Sequence, residues 1–200
     1  MIYNQPIHQT QLFGLNRFIN ELIQLYDSQK LPNKILLSGQ KGLGKSTMAY
    51  HFINYILSKN EEFKYDEKNF TINPNNHSYK TVLNKSNPNL VLIDIGIEKK
   101  YIDITQIRDL ISNLNKTSFN DKPKFVLIDN IEFLNLNSIN SLLKVLEEPN
   151  INTHFILINN NRNILPTLQS RCINFKISLS NKENLIVADK LFNGKLNEYI

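Results

Sequence analysis

The sequence has little cysteine, glycine or proline and lacks long apolar runs. Its single cysteine, Cys172, excludes an internal disulfide framework and fits a reducing cytosol. Six glycines and seven prolines are spread over 200 residues, without an internal repeat or a low-complexity linker. No segment approaches the ~18 consecutive apolar residues of a membrane span, and the opening MIYNQPIHQTQLFG lacks a signal-peptide pattern. We therefore expect a soluble, cytoplasmic protein with no membrane partner.

The charge balance is only modestly basic. Lys and Arg number 23 against 18 Asp and Glu, which gives a formal net charge of +5. Such a balance is compatible with a nucleic-acid or polyphosphate partner but does not demonstrate one, since no run of like charges forms a basic arm. The length suffices for one domain, or for one domain and the start of another.

Short apolar runs alternate with segments of helical periodicity. The apolar runs predict strands at 34–38, 90–94, 124–129, 154–159 and 173–177. The helical spacing predicts helices at 13–26, 44–57, 104–114, 138–148, 165–170 and from 182 onward. Because apolar strands alternating with helices belong to parallel sheets covered on both faces, we predict an α/β fold with a five-stranded parallel sheet flanked by helices. Polar residues 60–89 predict a surface insertion with at most one short helix.

A glycine-rich motif joins the first strand to the second helix. Residues 39–47 read GQKGLGKST and match G-x-x-x-x-G-K-[ST], the phosphate-binding P-loop. Glycines let the backbone approach a phosphate and present several N–H donors, and the helix N-terminus adds partial positive charge. We predict that this loop binds ATP or ADP with Mg²⁺. The residues assigned to the nucleotide are Gly39, Lys41, Gly42, Leu43, Gly44, Lys45, Ser46 and Thr47.

Two residues of the loop have distinct chemical roles. Lys45 supplies a full positive charge to the outer phosphates, and the hydroxyl of Ser46 can coordinate Mg²⁺. A plain glycine turn between strand and helix would explain neither residue. Asp129 ends the predicted strand FVLID at the sheet edge where ligands collect in parallel α/β proteins. An acid there can be a turn or cap residue, but behind a P-loop we predict that it holds Mg²⁺, directly or through water.

Two further segments carry a resemblance to a known family. Asp129 and Asn130 are followed by NSLLKVLEEP at 140–149 and by LPTLQSRC at 165–172. In this order, behind a P-loop, these segments resemble the AAA+ clamp-loader family, and within it the delta-prime subunits of bacterial DNA polymerase III. The similarity covers roughly residues 5–180. It implies an AAA+ nucleotide-binding domain over 1–178, the beginning of a helical lid over 179–200, and a collar domain outside this chain. We therefore expect this chain to be a fragment.

The resemblance also implies residue roles and partners. In the family, the arginine of the Ser-Arg-Cys segment reaches into a neighbouring subunit's ATP site, where its charge stabilises the transferring phosphoryl group. That role maps onto Arg171; outside this motif, a surface ion pair would be the simpler interpretation. The nucleotide-sensing position after the fourth strand maps onto Asn159 or Asn160, and Asn160 is the one we assign. The implied partners are gamma/tau- and delta-type subunits and, through the assembly, the sliding clamp and primer-template DNA.

The sequence departs from the family pattern at two places. AAA+ ATPases usually carry a glutamate directly after the strand-ending aspartate to activate water, but here Asn130 stands there and cannot accept a proton. Glu132, two residues further on, is more simply a surface acid than a substitute. Residues 60–89 also lack the four-cysteine zinc module of the motor subunits, and because His77 alone cannot form a zinc site, we expect no zinc.

Three functions remain to be compared. The first is a non-motor clamp-loader subunit that binds nucleotide, hydrolyses it weakly or not at all, and supplies Arg171 to a neighbour. The second is an active motor subunit of the tau/gamma type, and Asn130 speaks against it. The third is a P-loop small-molecule kinase, which would need an arginine-rich lid. The four arginines do not form such a cluster; they are Arg17, Arg108, Arg162 and Arg171.

Overall fold

The computed structural model describes residues 5–96, 99–114, 120–150 and 152–191. Within these ranges strands and helices alternate as the sequence predicts. The strands are β1 (Lys34–Ser38), β2 (Leu90–Ile93), β3 (Lys124–Ile128), β4 (Thr153–Asn159) and β5 (Ile173–Lys176). The helices are α1 (Asn16–Asp27), α2 (Lys45–Leu57), α3 (His77–Leu83), α4 (Ile104–Leu114), α5 (Leu136–Glu147), α6 (Pro166–Gln169) and α7 (Asn181–Leu191).

All five strands join one parallel sheet in the order β2-β3-β4-β1-β5. Successive side chains of a strand point to opposite faces, so β1 contributes Ile35 and Leu37 to one apolar cluster and Leu36 to the other. The first cluster is completed mainly by α1 and α2, and the second by α4, α5 and α6. Helices therefore cover both faces, and the predicted α/β fold with its five-stranded parallel sheet is confirmed.

Capping residues explain where two predicted helices begin. The helix predicted at 138–148 starts earlier, at Leu136, because the side chain of Asn135 accepts a hydrogen bond from the backbone N–H of Ser138. The helix predicted at 13–26 starts later, at Asn16, because Gly14 has a left-handed backbone with φ +73°. Two short 3₁₀ helices, Pro6–His8 and Ile131–Phe133, were not predicted.

Residues 60–89 form part of the fold, and their prediction as a surface insertion is wrong in this respect. The predicted short helix exists as α3, but Tyr65, Ile72 and Tyr79 are buried in the cluster shared with α2. Polar side chains satisfy the buried backbone: the hydroxyl of Ser58 accepts from the N–H of Tyr65 (3.0 Å), and the carbonyl oxygen of the Asn76 side chain accepts from that of Tyr79 (2.7 Å). The apolar residues are too irregularly spaced to show a period.

Helix α7 packs against the beginning of α1. A Cβ atom built on Gly14 would lie 2.2 Å from Cγ2 of Val187, so only glycine allows this approach. The guanidinium of Arg17 donates to the carbonyl of Ser178 (2.7 Å), just before α7. Residues 192–200 of the predicted lid lie outside the described residues. Among the helices described, none has the length and apolarity needed to cross a membrane.

Candidate nucleotide-binding site

The loop between β1 and α2 depends on three glycines. Gly39, Gly42 and Gly44 have φ angles of +155°, +89° and +80°, which side chains rarely permit. A Cβ on Gly39 would also lie 2.3 Å from the carbonyl oxygen of Ile177. No atom lies within 4 Å of a Cβ built on Gly42, so backbone conformation alone demands glycine there. The loop therefore has a tight backbone path that ends at the first turn of α2.

Lys45, the first residue of α2, places a buried amine inside this loop. Its Nζ donates to the carbonyls of Gly39 (2.9 Å) and Gln40 (2.6 Å), and the residue is only 3% exposed. Burial lowers the pKa of the Lys45 amine, while the nearby charges of Asp129 and Glu132 act in the opposite direction. The positive charge of Lys45 is thus held inside the loop, where it can bind an anion such as a phosphate.

Ser46 and Asp129, which are 83 residues apart in sequence, are in direct contact. The Ser46 hydroxyl donates to Oδ2 of Asp129, and the backbone N–H of Asn130 donates to Oδ1 (2.8 Å). Burial raises the pKa of Asp129, and the charge of Asp94 adds to this effect. These hard oxygen donors fit Mg²⁺. Because the described ranges contain no group of three or more His, Cys, Asp or Glu suited to a metal, phosphate and water would complete the coordination.

Asn130 occupies the centre of a polar cluster at the carboxyl edge of the sheet. Its Nδ2 donates to Oδ1 of Asp94 (2.8 Å), and its Oδ1 accepts from Nδ2 of Asn160 (2.8 Å). Both ends of the amide are therefore engaged. Asp94 was not predicted as a site residue, although it follows β2 directly and β2 pairs with β3. The sequence signal that could have found Asp94 is its position as an acid directly after an apolar strand.

Asn160, rather than Asn159, reaches this cluster. The side chain of Asn159 turns back to Arg162, donating to its carbonyl (2.9 Å) and accepting from its N–H (3.2 Å). The N–H of Asn160 donates to Oε2 of Glu132 (3.3 Å). Because Glu132 also acts electrostatically on Lys45, the interpretation of Glu132 as a plain surface acid is too simple.

A groove runs beside the loop, between the N-terminal segment and α7. The assigned residues Gly42, Leu43, Gly44 and Thr47 form part of its wall, whereas Lys41 is exposed on the loop. The remaining apolar residues of the groove were not predicted as part of the site; they are Leu12, Phe13, Leu15, Leu179, Val187 and Leu191. Their proximity depends on how α7 packs, which no local pattern encodes.

Arg171 lies at the other end of β5 from the loop. Register pairs Lys176 with Ser38, the residue before Gly39, so the length of β5, about 10 Å, and the bend at Cys172 separate Arg171 from the loop. One guanidinium nitrogen, Nη2, donates to Oε1 of Glu147, and the other, Nη1, donates to the carbonyl of Thr167 (2.8 Å). The surface ion pair that was the alternative interpretation of Arg171 thus exists, and Arg171 lies outside the cluster formed by its own loop.

The sheet order and the loop together define the class of protein. A parallel sheet with a P-loop after β1 and an acid after β3 is the P-loop AAA+ fold. One solved structure that shares it is a DNA polymerase III gamma subunit-related protein of Thermotoga maritima, with a TM-score of 0.55 and 19% identity over 88% of this chain and 48% of that one. Another is the Thermotoga maritima RuvB Holliday junction branch migration motor, with a TM-score of 0.54 and 16% identity over 94% of this chain and 56% of that one.

The chain belongs to the family described as DNA polymerase III, delta subunit, whose sequence model matches residues 14–181. A delta' subunit of DNA polymerase III from Buchnera aphidicola (Baizongia pistaciae) is 29% identical over 93% of this chain and 56% of its own length. A gamma subunit from Buchnera aphidicola (Schizaphis graminum) is 27% identical over 90% of this chain and 48% of its own. The chain therefore spans about half the length of these relatives, and the resemblance seen in the sequence is confirmed.

Proposed function

We propose that this chain is the nucleotide-binding module of a delta-prime-type clamp-loader subunit of DNA polymerase III. It binds ATP or ADP with Mg²⁺, hydrolyses ATP very slowly or not at all, and contributes Arg171 to the ATP site of a neighbour. The observation that carries the proposal is Asn130, an amide engaged at both ends in the position where an ATPase needs a base.

The loop and its surroundings support nucleotide binding. Backbone N–H groups at the start of α2 and the buried amine of Lys45 provide positive charge for phosphates. Ser46 and Asp129 would hold Mg²⁺, which would supply positive charge to offset that of the phosphates. The apolar groove that includes Leu12 and Val187 suits the flat face of a base.

The polar cluster around Asn130 supports slow hydrolysis. A general base must accept a proton from the attacking water, and a carboxamide cannot do so. Two carboxylates reach the cluster, but Asp94 accepts a hydrogen bond from Asn130 and Glu132 accepts one from the backbone of Asn160. Each carboxylate is therefore tied to the protein through one of its oxygens.

The position of Arg171 supports a role in trans. The length of β5, about 10 Å, and the contacts with Glu147 and Thr167 keep its guanidinium away from the loop of its own chain. A neighbouring subunit whose phosphate site faces this end of the sheet would receive the charge. The proposed neighbours are gamma/tau- and delta-type subunits, and the assembly would act on the sliding clamp and primer-template DNA.

An active motor subunit is the second candidate, and Glu132 is the observation that favours it. Its carboxylate lies close enough to Lys45 to affect the lysine pKa, and its hydrogen bond to the backbone of Asn160 is long at 3.3 Å. A modest shift would free it to act as a base. A DNA polymerase III gamma/tau subunit of Mycoplasma genitalium, 30% identical over 86% of this chain and 27% of its own length, is also among the relatives.

Two measurements on the isolated chain test the proposal. Titration calorimetry with Mg-ADP and Mg-ATP should show one site per chain, and phosphate release at saturating ATP should stay at the background rate. Absence of binding would make the loop vestigial and contradict the nucleotide proposal. Sustained turnover that is lost in Glu132→Gln would instead identify a motor subunit. Gel filtration of the chain mixed with purified gamma/tau subunit tests the proposed partner.

A further inference from the structure

The guanidinium of Arg171 is restrained by two acceptors of its own chain. Glu147 Oε1 accepts from Nη2, and the carbonyl of Thr167 accepts from Nη1 at 2.8 Å. The ion pair remains open to solvent, since the side chains of Arg171 and Glu147 are 31% and 53% exposed. A neighbouring molecule can therefore reach the guanidinium while it stays bound to both acceptors.

The position of Glu147 is not explained by the stability of its own helix. Glu147 is the last residue of α5, where the carbonyl end of the helix carries partial negative charge and disfavours a carboxylate. Lys144 is the basic residue in the same turn, but the ion pair in the structure is with Arg171, 24 residues away. The contact joins the end of α5 to the segment before β5, and it thereby restrains Arg171.

We infer that Glu147 is a positioning residue for Arg171, fixing the guanidinium in the orientation that the neighbour's phosphate meets. This inference rests on the trans role of Arg171 proposed above. Arginine has five N–H donors, and the two contacts within the chain use two of them. Three donors stay available, which is enough for a paired contact with phosphate oxygens.

Restraint matters because a free arginine side chain has many rotamers. Those rotamers are lost when the guanidinium engages a phosphate, so an arginine already held in place loses less freedom at that moment. A carboxylate also differs from a neutral acceptor, because a charged hydrogen bond is shorter and stronger. We therefore expect the geometry of the trans contact, and with it the rate of the chemical step, to depend on Glu147.

The test is steady-state ATP hydrolysis by clamp loaders assembled with gamma/tau and delta subunits and stimulated by clamp and primed DNA. Misplacing a catalytic group by about 1 Å can cost ~100-fold. Because Thr167 still holds Arg171, we expect Glu147→Ala to lower kcat about tenfold with KM unchanged. Glu147→Gln keeps an acceptor oxygen, so its kcat should lie between those of wild type and Glu147→Ala. The matched control is Glu148→Ala, at the neighbouring exposed residue, which should leave kcat within about twofold of wild type.

A second set of loaders separates positioning from a general structural effect. In an Arg171→Ala background, adding Glu147→Ala should cause no further loss, since the residue to be positioned is gone. An equal further loss in that background would overturn the inference, as would a Glu147→Ala loader with wild-type kcat. If Arg171→Ala itself has no effect, the trans role fails instead, so the two failures are distinguishable. Thermal unfolding of each subunit checks that it folds. If Glu147→Ala does not fold, Glu147→Gln replaces it in the comparison.

Discussion

The side chain of Asn160 donates a 2.8 Å hydrogen bond to the side-chain oxygen of Asn130. This contact joins the end of β4 to the end of β3 and uses the only acceptor that the Asn130 side chain has. With the other end of the amide bound to Asp94, Asn130 is a structural link between three neighbouring strands rather than a residue poised to act on water. The account of the site as binding without efficient hydrolysis depends on this link.

The isolated chain should hydrolyse ATP no faster than its Lys45→Ala variant. A positioned general base contributes about 10²–10⁴-fold to such a reaction, and Asn130 removes that contribution. Phosphate release at saturating Mg-ATP, followed over hours, measures the difference between the two proteins. A wild-type rate ten or more times that of Lys45→Ala would contradict the prediction.

Lys45→Ala should weaken nucleotide binding about 100-fold. A hydrogen bond to a charged group is worth about 1.5–3 kcal/mol, and tenfold in affinity corresponds to ~1.4 kcal/mol. Lys41→Ala changes the same charge in the same loop, but at an exposed side chain, and should weaken binding by less than about threefold. Calorimetry with Mg-ADP measures both. Equal losses would show that net charge, rather than the buried amine, governs affinity.

Gly14→Ala should displace α7 and weaken nucleotide binding about fivefold, the equivalent of ~1 kcal/mol of apolar contact along the groove. The reason is the 2.2 Å approach between the new Cβ and Val187. The double variant Gly14→Ala/Val187→Ala removes the clash and should recover most of the affinity. Its melting temperature should stay below that of Val187→Ala, because alanine at a φ of +73° remains strained. If the double variant binds nucleotide as weakly as Gly14→Ala, displacement of α7 is not the cause of the lost affinity.

Much of the fold and of the loop follows from local sequence. Strands β1 to β4 contain apolar runs bounded by polar residues, whereas β5 (INFK) alternates. The glycines of 39–44 are required by their own backbone angles, and they stand in a recognisable motif. Asp94 was missed because its contact with Asn130 depends on the pairing of β2 with β3. The apolar groove was missed because Leu12 and Val187 come from opposite ends of the chain.

The burial of residues 60–89 was missed for a related reason. Their packing on α2 combines irregularly spaced apolar residues with single polar contacts, such as the one between the side chains of Asn54 and Asn76 (3.1 Å). Asparagines in a turn-rich segment look like solvent-exposed loop residues until their partners are known. Long-range contacts of this kind leave no periodic signal in the sequence.

Protonation of His51 should destabilise the fold at acidic pH. The ring is buried between the hydroxyl of Tyr65 (3.1 Å) and the carbonyl of Gln9 (3.0 Å), and burial lowers its pKa from 6.5 to about 4. Since the unfolded chain then binds a proton that the folded chain does not, the free energy of unfolding should fall as pH drops from 6.5 towards 4, by up to ~3 kcal/mol. Urea unfolding at pH 7, 5.5 and 4.5 measures this loss. His51→Gln keeps a donor and an acceptor without titrating, and should show a shallower decline; an identical decline would exclude His51 as its source.

The central claim is that Arg171 acts on a neighbour's nucleotide and not on its own. Arg171→Ala should leave the fold and the nucleotide affinity of this subunit unchanged, because the side chain lies at the opposite end of β5 from the loop. The direct measurement is steady-state ATPase of reconstituted loaders, stimulated by clamp and primed DNA, with either Arg171→Ala or Lys45→Ala in this subunit. Loss of an arginine finger typically costs on the order of 10³-fold or more at the dependent site, with a smaller net loss in an assembly of several sites. The account predicts a marked fall in turnover for Arg171→Ala and a milder effect for Lys45→Ala; full turnover with Arg171→Ala and a strong loss with Lys45→Ala would contradict it and identify this subunit as a motor.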